Sequence, residues 1–273
     1  VADVHECVVL SQQIEQSGAR RKYIGARKMK NRITIIIFVF RNIENYPLFG
    51  VINGVHPVNI FDMSTSYKRE IATSLLEIEA VKLSPDKPFT WASGWHSPIY
   101  CDNRKTLSYP EVRKQIYKSF AKIIAELYPE ADIIAGVATG AIAHGVLAAE
   151  QMGKPFIYVR SAAKDHGLAN QIEGAYKPGD KVVVIEDLVS TGGSSLKAVE
   201  ALREAGCSVL GMVAIFTYGF PEAASRFEAA GCKLDTLSDY AALIDVAAER
   251  GYVSDNEMDT LKEWRTSHDT WRR

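Results

Sequence analysis

Lys181-Val182-Val183-Val184-Ile185-Glu186-Asp187-Leu188-Val189-Ser190-Thr191-Gly192-Gly193-Ser194-Ser195 is the stretch that decides the fold of this chain. It opens as an apolar, β-branched run, the pattern of a strand buried on both faces of a parallel sheet. Two carboxylates follow, then a turn rich in hydroxyls and glycine, then a helix whose apolar face carries Leu196, Val199 and Leu202. In an open α/β sheet, ligands sit beyond the carboxyl ends of the strands. A glycine-rich turn at a helix N-terminus offers an anion both free N–H groups and the positive end of the helix dipole. The glycines let the backbone come close, and Ser190, Thr191 and Ser194 add hydroxyl donors. Two acids beside such a nest would repel a bare phosphate, so they are read as facing a ribose diol or a bound Mg²⁺. A sugar phosphate satisfies both halves of the motif.

Working outward, the apolar runs Ile133 to Val137, Pro155 to Val159 and Val209 to Phe216 repeat the strand pattern, mostly with helix-length segments between them. This predicts an α/β fold with a mostly parallel central sheet flanked by helices. Apolar residues at Ile71, Leu75 and Ile78 predict a helix near 66–80. Pro110 opens another, with Val112, Ile116, Phe120, Ile123, Ile124 and Leu127 on one face. Ser254-Asp255-Asn256-Glu257 reads as a capping box starting a C-terminal helix over about 254–266 that carries Met258, Leu261 and Trp264.

Composition removes other classes. The chain has 273 residues, a formal net charge of -1 and 24% charged residues, which leaves no basic footprint for nucleic acid. Cys7, Cys101, Cys207 and Cys232 have neither disulfide-framework nor zinc-ligand spacing, and fit a reducing cytoplasm. The run Ile33 to Phe40 is far below the roughly 20 residues a membrane span needs. There is no G-x-x-x-x-G-K-[ST], no dinucleotide fingerprint and no G-x-S-x-G elbow. Gly136 to Gly145 is a glycine-rich turn after a strand that could wrap pyrophosphate through its N–H groups; His144 within it is either packed on the next helix or part of a binding surface.

The strand, acid pair and turn together resemble the phosphoribosyl pyrophosphate (PRPP) motif of the type I phosphoribosyltransferases. Two more blocks, Phe89 to Arg104 (FTWASGWHSPIYCDNR) and Tyr158 to Gly167 (YVRSAAKDHG), resemble the base-recognition segment and the mobile catalytic loop of the bacterial orotate phosphoribosyltransferases. With Ile215 to Pro221 and Leu237 to Tyr240, the resemblance covers about residues 64–268. It implies transfer of the phosphoribosyl group from PRPP to orotate in pyrimidine (UMP) biosynthesis, with Mg²⁺ carried by PRPP near Glu186 and Asp187. PRPP contacts fall on Lys82, Arg160, Lys164, His166, Glu186, Asp187, Leu188, Val189, Ser190, Thr191, Gly192, Gly193 and Ser194. Lys164, Asp187 and His166 are the implied catalytic residues, and Ser190, Phe89 and Tyr218 the implied orotate contacts. A homodimer is also implied, the loop of one subunit closing over its neighbour's site.

The chain departs from some family members at three places: Ser161 stands where a second loop lysine is found, Thr139-Gly140 where Tyr-Lys is found, and Tyr218 where an orotate-contacting arginine is found. Backbone N–H groups near Phe89 to Gly94 are the expected substitute for that arginine. A phosphoribosyltransferase for another base and a non-catalytic PRPP-binding regulator are the alternatives. Residues 1–62 lack sustained periodicity and are expected to be an upstream extension with little fixed structure, Met63 being the expected natural start. The phosphoribosyltransferase domain is then 63–273, with a small N-terminal hood over 64–105 and a core over 106–250.

Overall fold

The apolar runs expected to be strands become neighbours in one sheet of the computed structural model, which describes residues 20–28, 34–41, 60–91, 93–161 and 171–272. The chain divides into two units, residues 1–60 and 61–273. In the first, β1 (Arg20–Lys28) pairs antiparallel with β2 (Thr34–Arg41), with a register shift between Tyr23 and Ala26. The sequence reading expects little structure here. Thr34 to Phe40 is wholly β-branched and aromatic, a composition that suits extended backbone and accounts for the pair.

Helix α1 (Ile60–Glu77) covers most of the helix expected near 66–80 and buries Ile71, Ala72, Leu75 and Leu76. A short hood follows. β3 (Val81–Leu83) pairs antiparallel with β6 (Ile99–Cys101), and between them β4 (Phe89–Thr90) pairs with β5 (His96–Ser97). A 3₁₀ turn over Asn103–Ser108 leads to α2 (Pro110–Leu127), which opens on its proline and buries Ile116, Phe120, Ile123 and Ile124.

The core alternates strand and helix: β7 (Ile133–Val137), α3 (Gly140–Met152), β8 (Phe156–Val159), the short β9 (Ile172–Glu173), β10 (Lys181–Val189), α4 (Gly193–Glu204), β11 (Ser208–Thr217), α5 (Pro221–Ala229), β12 (Leu234–Asp239) and α6 (Tyr240–Glu249). The sheet order is β12-β11-β10-β7-β8-β9, parallel except for β9 at one edge. Val182, Val183, Val184 and Ile185 of β10 are fully buried, each such side chain contributing about 1.5–3 kcal/mol. The chain moves from β7 outward to β8, then returns to lay β10 on the other side of β7. The crevice between the ends of β7 and β10 is thus the point where strand order reverses, the usual ligand position in such sheets.

Helix α7 (Asp255–Ser267) closes the chain as expected, with the Glu257 carboxylate accepting the N–H and hydroxyl of Ser254. The sequence reading does not foresee β12 or α6. β12 reads Leu-Asp-Thr-Leu-Ser-Asp and lies at the sheet edge, where polar residues are tolerated and the apolar signature is weak. Its last residue, Asp239, caps α6 through Ala242 N–H (3.0 Å) and binds Lys68 of α1 (2.8 Å).

Candidate active site

The two acids at the end of β10 are close enough to interact, but their surroundings differ. Glu186 is buried; one of its oxygens accepts the Ser195 hydroxyl (2.8 Å) and the other the Asp187 N–H (2.9 Å). Burial, and then the negative charge of Asp187, hold its carboxyl well above the usual carboxylate range. Glu186 thus braces the turn from inside. Asp187 is only half-buried, and its carbonyl accepts the side-chain amide of Asn103 at 2.6 Å. Asn103 is itself 1% exposed, and its own carbonyl accepts the Thr106 hydroxyl. One buried amide therefore ties the hood to the acid across 84 residues of sequence.

The turn after β7 meets the same carboxylate. A Cβ built on Gly140 would lie 2.0 Å from Asp187 Oδ2, so the first residue of α3 has no room for a side chain. At the Thr139-Gly140 departure noted in the sequence, the Asp187 carboxylate takes the space next to the glycine. Phe156 of β8 packs against the same turn, under 3 Å from the Cβ positions of Gly136 and Gly145.

Past the end of β10 comes Ser190-Thr191-Gly192-Gly193-Ser194. Gly192 is left-handed (φ +81°), and a Cβ there would meet the Phe227 ring at 2.9 Å, so both backbone and packing require glycine. No side chain caps α4, and its first N–H groups are directed at whatever lies beyond the turn. Arg226 of α5 supports the turn by donating to the Thr191 carbonyl (3.0 Å). Leu188 is half-buried, and Val189 is fully buried with its carbonyl accepting the Thr217 hydroxyl (3.0 Å). These two residues shape the end of the strand.

The remaining candidates surround this centre or fall elsewhere. Lys82, on β3 opposite Tyr100, is half-exposed and pairs with Glu79 at 3.1 Å. Phe89 lies 5.6 Å from the Tyr100 ring. Lys164 and His166 lie within residues 162–170, outside the described residues. The two sides of that stretch are clasped: Arg160 N–H donates to Gln171 O (2.9 Å), and the Gln171 amide donates to Arg160 O (2.7 Å). The Arg160 guanidinium stands 3.8 Å from Glu173.

Tyr218 is 3% exposed, inside a cluster with Trp91 (5.0 Å), Phe220 (5.4 Å) and Trp264 (5.8 Å). Burial, then the neighbouring Cys101 and Tyr100, push its hydroxyl well above the ordinary phenol value. It is a neutral group and supplies none of an arginine's charge. Burial, followed by Asp187, likewise raises the Cys101 thiol, which is inert as a nucleophile in that state.

His144 resolves to the packed reading. It is fully buried, with Nε2 3.0 Å from the Thr106 hydroxyl. Burial and then the Arg113 charge push its pKa down to about 4 from 6.5. A depressed folded-state value means that the neutral ring stabilises the fold above pH 6.5, and that this stability is lost as pH falls toward 4. Relative to a His144→Gln variant, wild type should lose on the order of 2 kcal/mol across that window. Urea unfolding at several pH values measures the difference, and parallel stability curves would contradict it.

The sequence reading includes Gly140 in a turn that could wrap pyrophosphate and Asn103 in the base-recognition segment, but gives neither its contact with Asp187, and it leaves out Arg226. Their contacts join elements far apart in the chain, and only Gly140, inside a glycine-rich turn after a strand, carries a local signal.

A strand ending in an acid, an uncapped glycine-rich helix start and a second glycine turn meet at a sheet reversal, the arrangement that the resemblance to phosphoribosyltransferases implies. In agreement, the family model described as phosphoribosyl transferase domain matches residues 108–249. The chain is 59% identical over 201 residues to an orotate phosphoribosyltransferase of Porphyromonas gingivalis, covering 74% of this chain and 96% of that protein. It is 55% identical over 204 residues to one of Bacteroides fragilis, covering 75% and 96%. The crystal structure of orotate phosphoribosyltransferase from Aeropyrum pernix superposes with a TM-score of 0.59 at 26% identity, covering 67% of this chain and 99% of that one. The chain belongs to the orotate phosphoribosyltransferase family.

Proposed function

We propose that this chain transfers the 5-phosphoribosyl group of PRPP to orotate, giving orotidine 5'-phosphate and pyrophosphate in de novo UMP synthesis. The observation that carries this is the Asp187 carboxylate, packed against the Gly140 turn at the sheet reversal, on the strand whose end leads straight into the uncapped start of α4. In this reading the α4 turn holds the 5-phosphate, Asp187 addresses the ribose hydroxyls, and the Gly140 turn lies along the pyrophosphate. The orotate ring nitrogen bonds to the anomeric carbon as the C–O bond to pyrophosphate breaks, and the nitrogen's proton is released. No protein nucleophile is needed.

The leaving group gathers negative charge, and fixed cations stabilise it most effectively where water is excluded. Arg160, Lys164 and His166 are placed in that role, with Lys164 also hydrogen-bonding to the departing oxygen. Among the described residues no three His, Cys, Asp or Glu side chains converge as metal ligands. A half-buried acid at the end of the strand suits Mg²⁺, which takes most of its oxygens from phosphates and water. When bound, the ion would neutralise pyrophosphate charge beside Asp187.

The same proposal includes a homodimer whose 160–167 segment serves the neighbouring site, and a cytoplasmic location. Cys101, Cys207 and Cys232 are free thiols, and no helix among the described residues is long and apolar enough to cross a membrane. The test is spectrophotometric loss of orotate with PRPP and Mg²⁺, against hypoxanthine, adenine and uracil. Turnover with orotate alone is expected. Preference for a purine would replace the substrate, and PRPP binding without turnover on any base would favour a regulator.

A further inference from the structure

The hood's β4 and β5 contribute two residues each, too little to hold a conformation unaided, since even longer isolated hairpins are marginal in water. The packing that holds them comes from the far end of the chain. Trp264 of α7 is 1% exposed, donates its indole N–H to the His96 carbonyl (3.3 Å) and meets Trp91 edge-on at 5.8 Å. Arg272 donates to the Pro85 carbonyl at 2.9 Å.

His268, just past the end of α7, joins the hood to the turn after β11 and to α5. It meets Trp95 edge-on at 5.3 Å and lies flat on Phe220, with centroids 3.6 Å and planes 9° apart. Its Nε2 is 2.7 Å from Glu222 Oε1, in the first turn of α5. One nearly buried ring therefore touches the hairpin tip, the turn after β11 and a core helix. Tyr218 stacks on the same Phe220.

We propose that His268 is a positioning residue for base recognition, fixing the 89–97 hairpin against the 218–220 turn and so setting the affinity for orotate. The inference rests on the reading above that these segments receive the base. His268 acts through Trp95 and Phe220. Trp95, Phe220, Trp264 and Glu222, which His268 touches, all lie outside the 190–194 turn.

The experiment measures kcat and both Michaelis constants for wild type, His268→Ala, His268→Gln, Glu222→Gln and, as a stability control in α2, Ile124→Val. His268→Ala should raise KM for orotate about tenfold, as loosening a binding loop does, with KM for PRPP and kcat within about twofold of wild type. His268→Gln, whose amide can still donate to Glu222, should recover part of that affinity. Glu222→Gln should shift KM for orotate in the same direction by less. Ile124→Val should lower Tm and leave both constants unchanged.

Equal rises in both constants, or an unchanged KM for orotate in folded His268→Ala and Glu222→Gln, would overturn the positioning role while leaving the enzyme intact. If His268→Ala does not fold, His268→Gln and Glu222→Gln decide by the same criterion. Absence of orotate-dependent turnover in wild type would instead overturn the functional reading, and this inference with it.

Discussion

Gly140→Ala is expected to lower kcat/KM at least 100-fold in a protein that remains folded. The added methyl group would sit 2.0 Å from Asp187 Oδ2 and 2.3 Å from its Cγ, inside any tolerable contact. The carboxylate must then rotate away or the turn must back off. The Asp187 backbone is held by its place in β10 and by Asn103, so the side chain yields first. Overpacking of this kind costs about 1–3 kcal/mol of stability, which a core with this many buried strand residues survives. Displacing a substrate-positioning group by about 1 Å, however, costs on the order of 100-fold in rate. Steady-state kinetics with PRPP varied, alongside a thermal melt, measures both effects. Wild-type kcat/KM in this variant would show that Asp187 is not where the chemistry needs it.

Lys164→Ala should reduce turnover by about 10³-fold, the scale of removing a preorganised charge from a developing anion, with unfolding behaviour unchanged. The same variant tests whether the loop works across subunits. Mixed and refolded with an Asp187→Asn chain in equal amounts, it should recover about a quarter of wild-type activity, because half of the dimers are hybrids and each hybrid has one site with both residues intact. If the loop serves its own subunit, the mixture stays as inactive as its components. Near-normal turnover of Lys164→Ala alone would remove the residue from the mechanism.

The parallel core is legible from sequence because its strands are buried on both faces: Ile133–Val137 is a continuous apolar run and matches its expected bounds. The acid pair and the α4 turn are legible as one contiguous motif. What separates Glu186 from Asp187 is not. The two are adjacent in sequence and their carboxyls interact; only burial and partners, Ser195 for Glu186 and the Gly140 turn for the half-buried Asp187, divide bracing from presentation. The hood's strands are too short to show a period, and their order depends on Trp264 and His268, more than 160 residues away. A charged loop such as Ala163-Lys164-Asp165-His166 carries no physical signature apart from its family pattern.

The clasp between Arg160 and Gln171 has an evolutionary corollary. With entry and exit points fastened together across residues 160 and 171, a change of length or charge between them leaves strand register on either side in place. Selection can then vary the segment's sequence while the strands beside it keep their pairing.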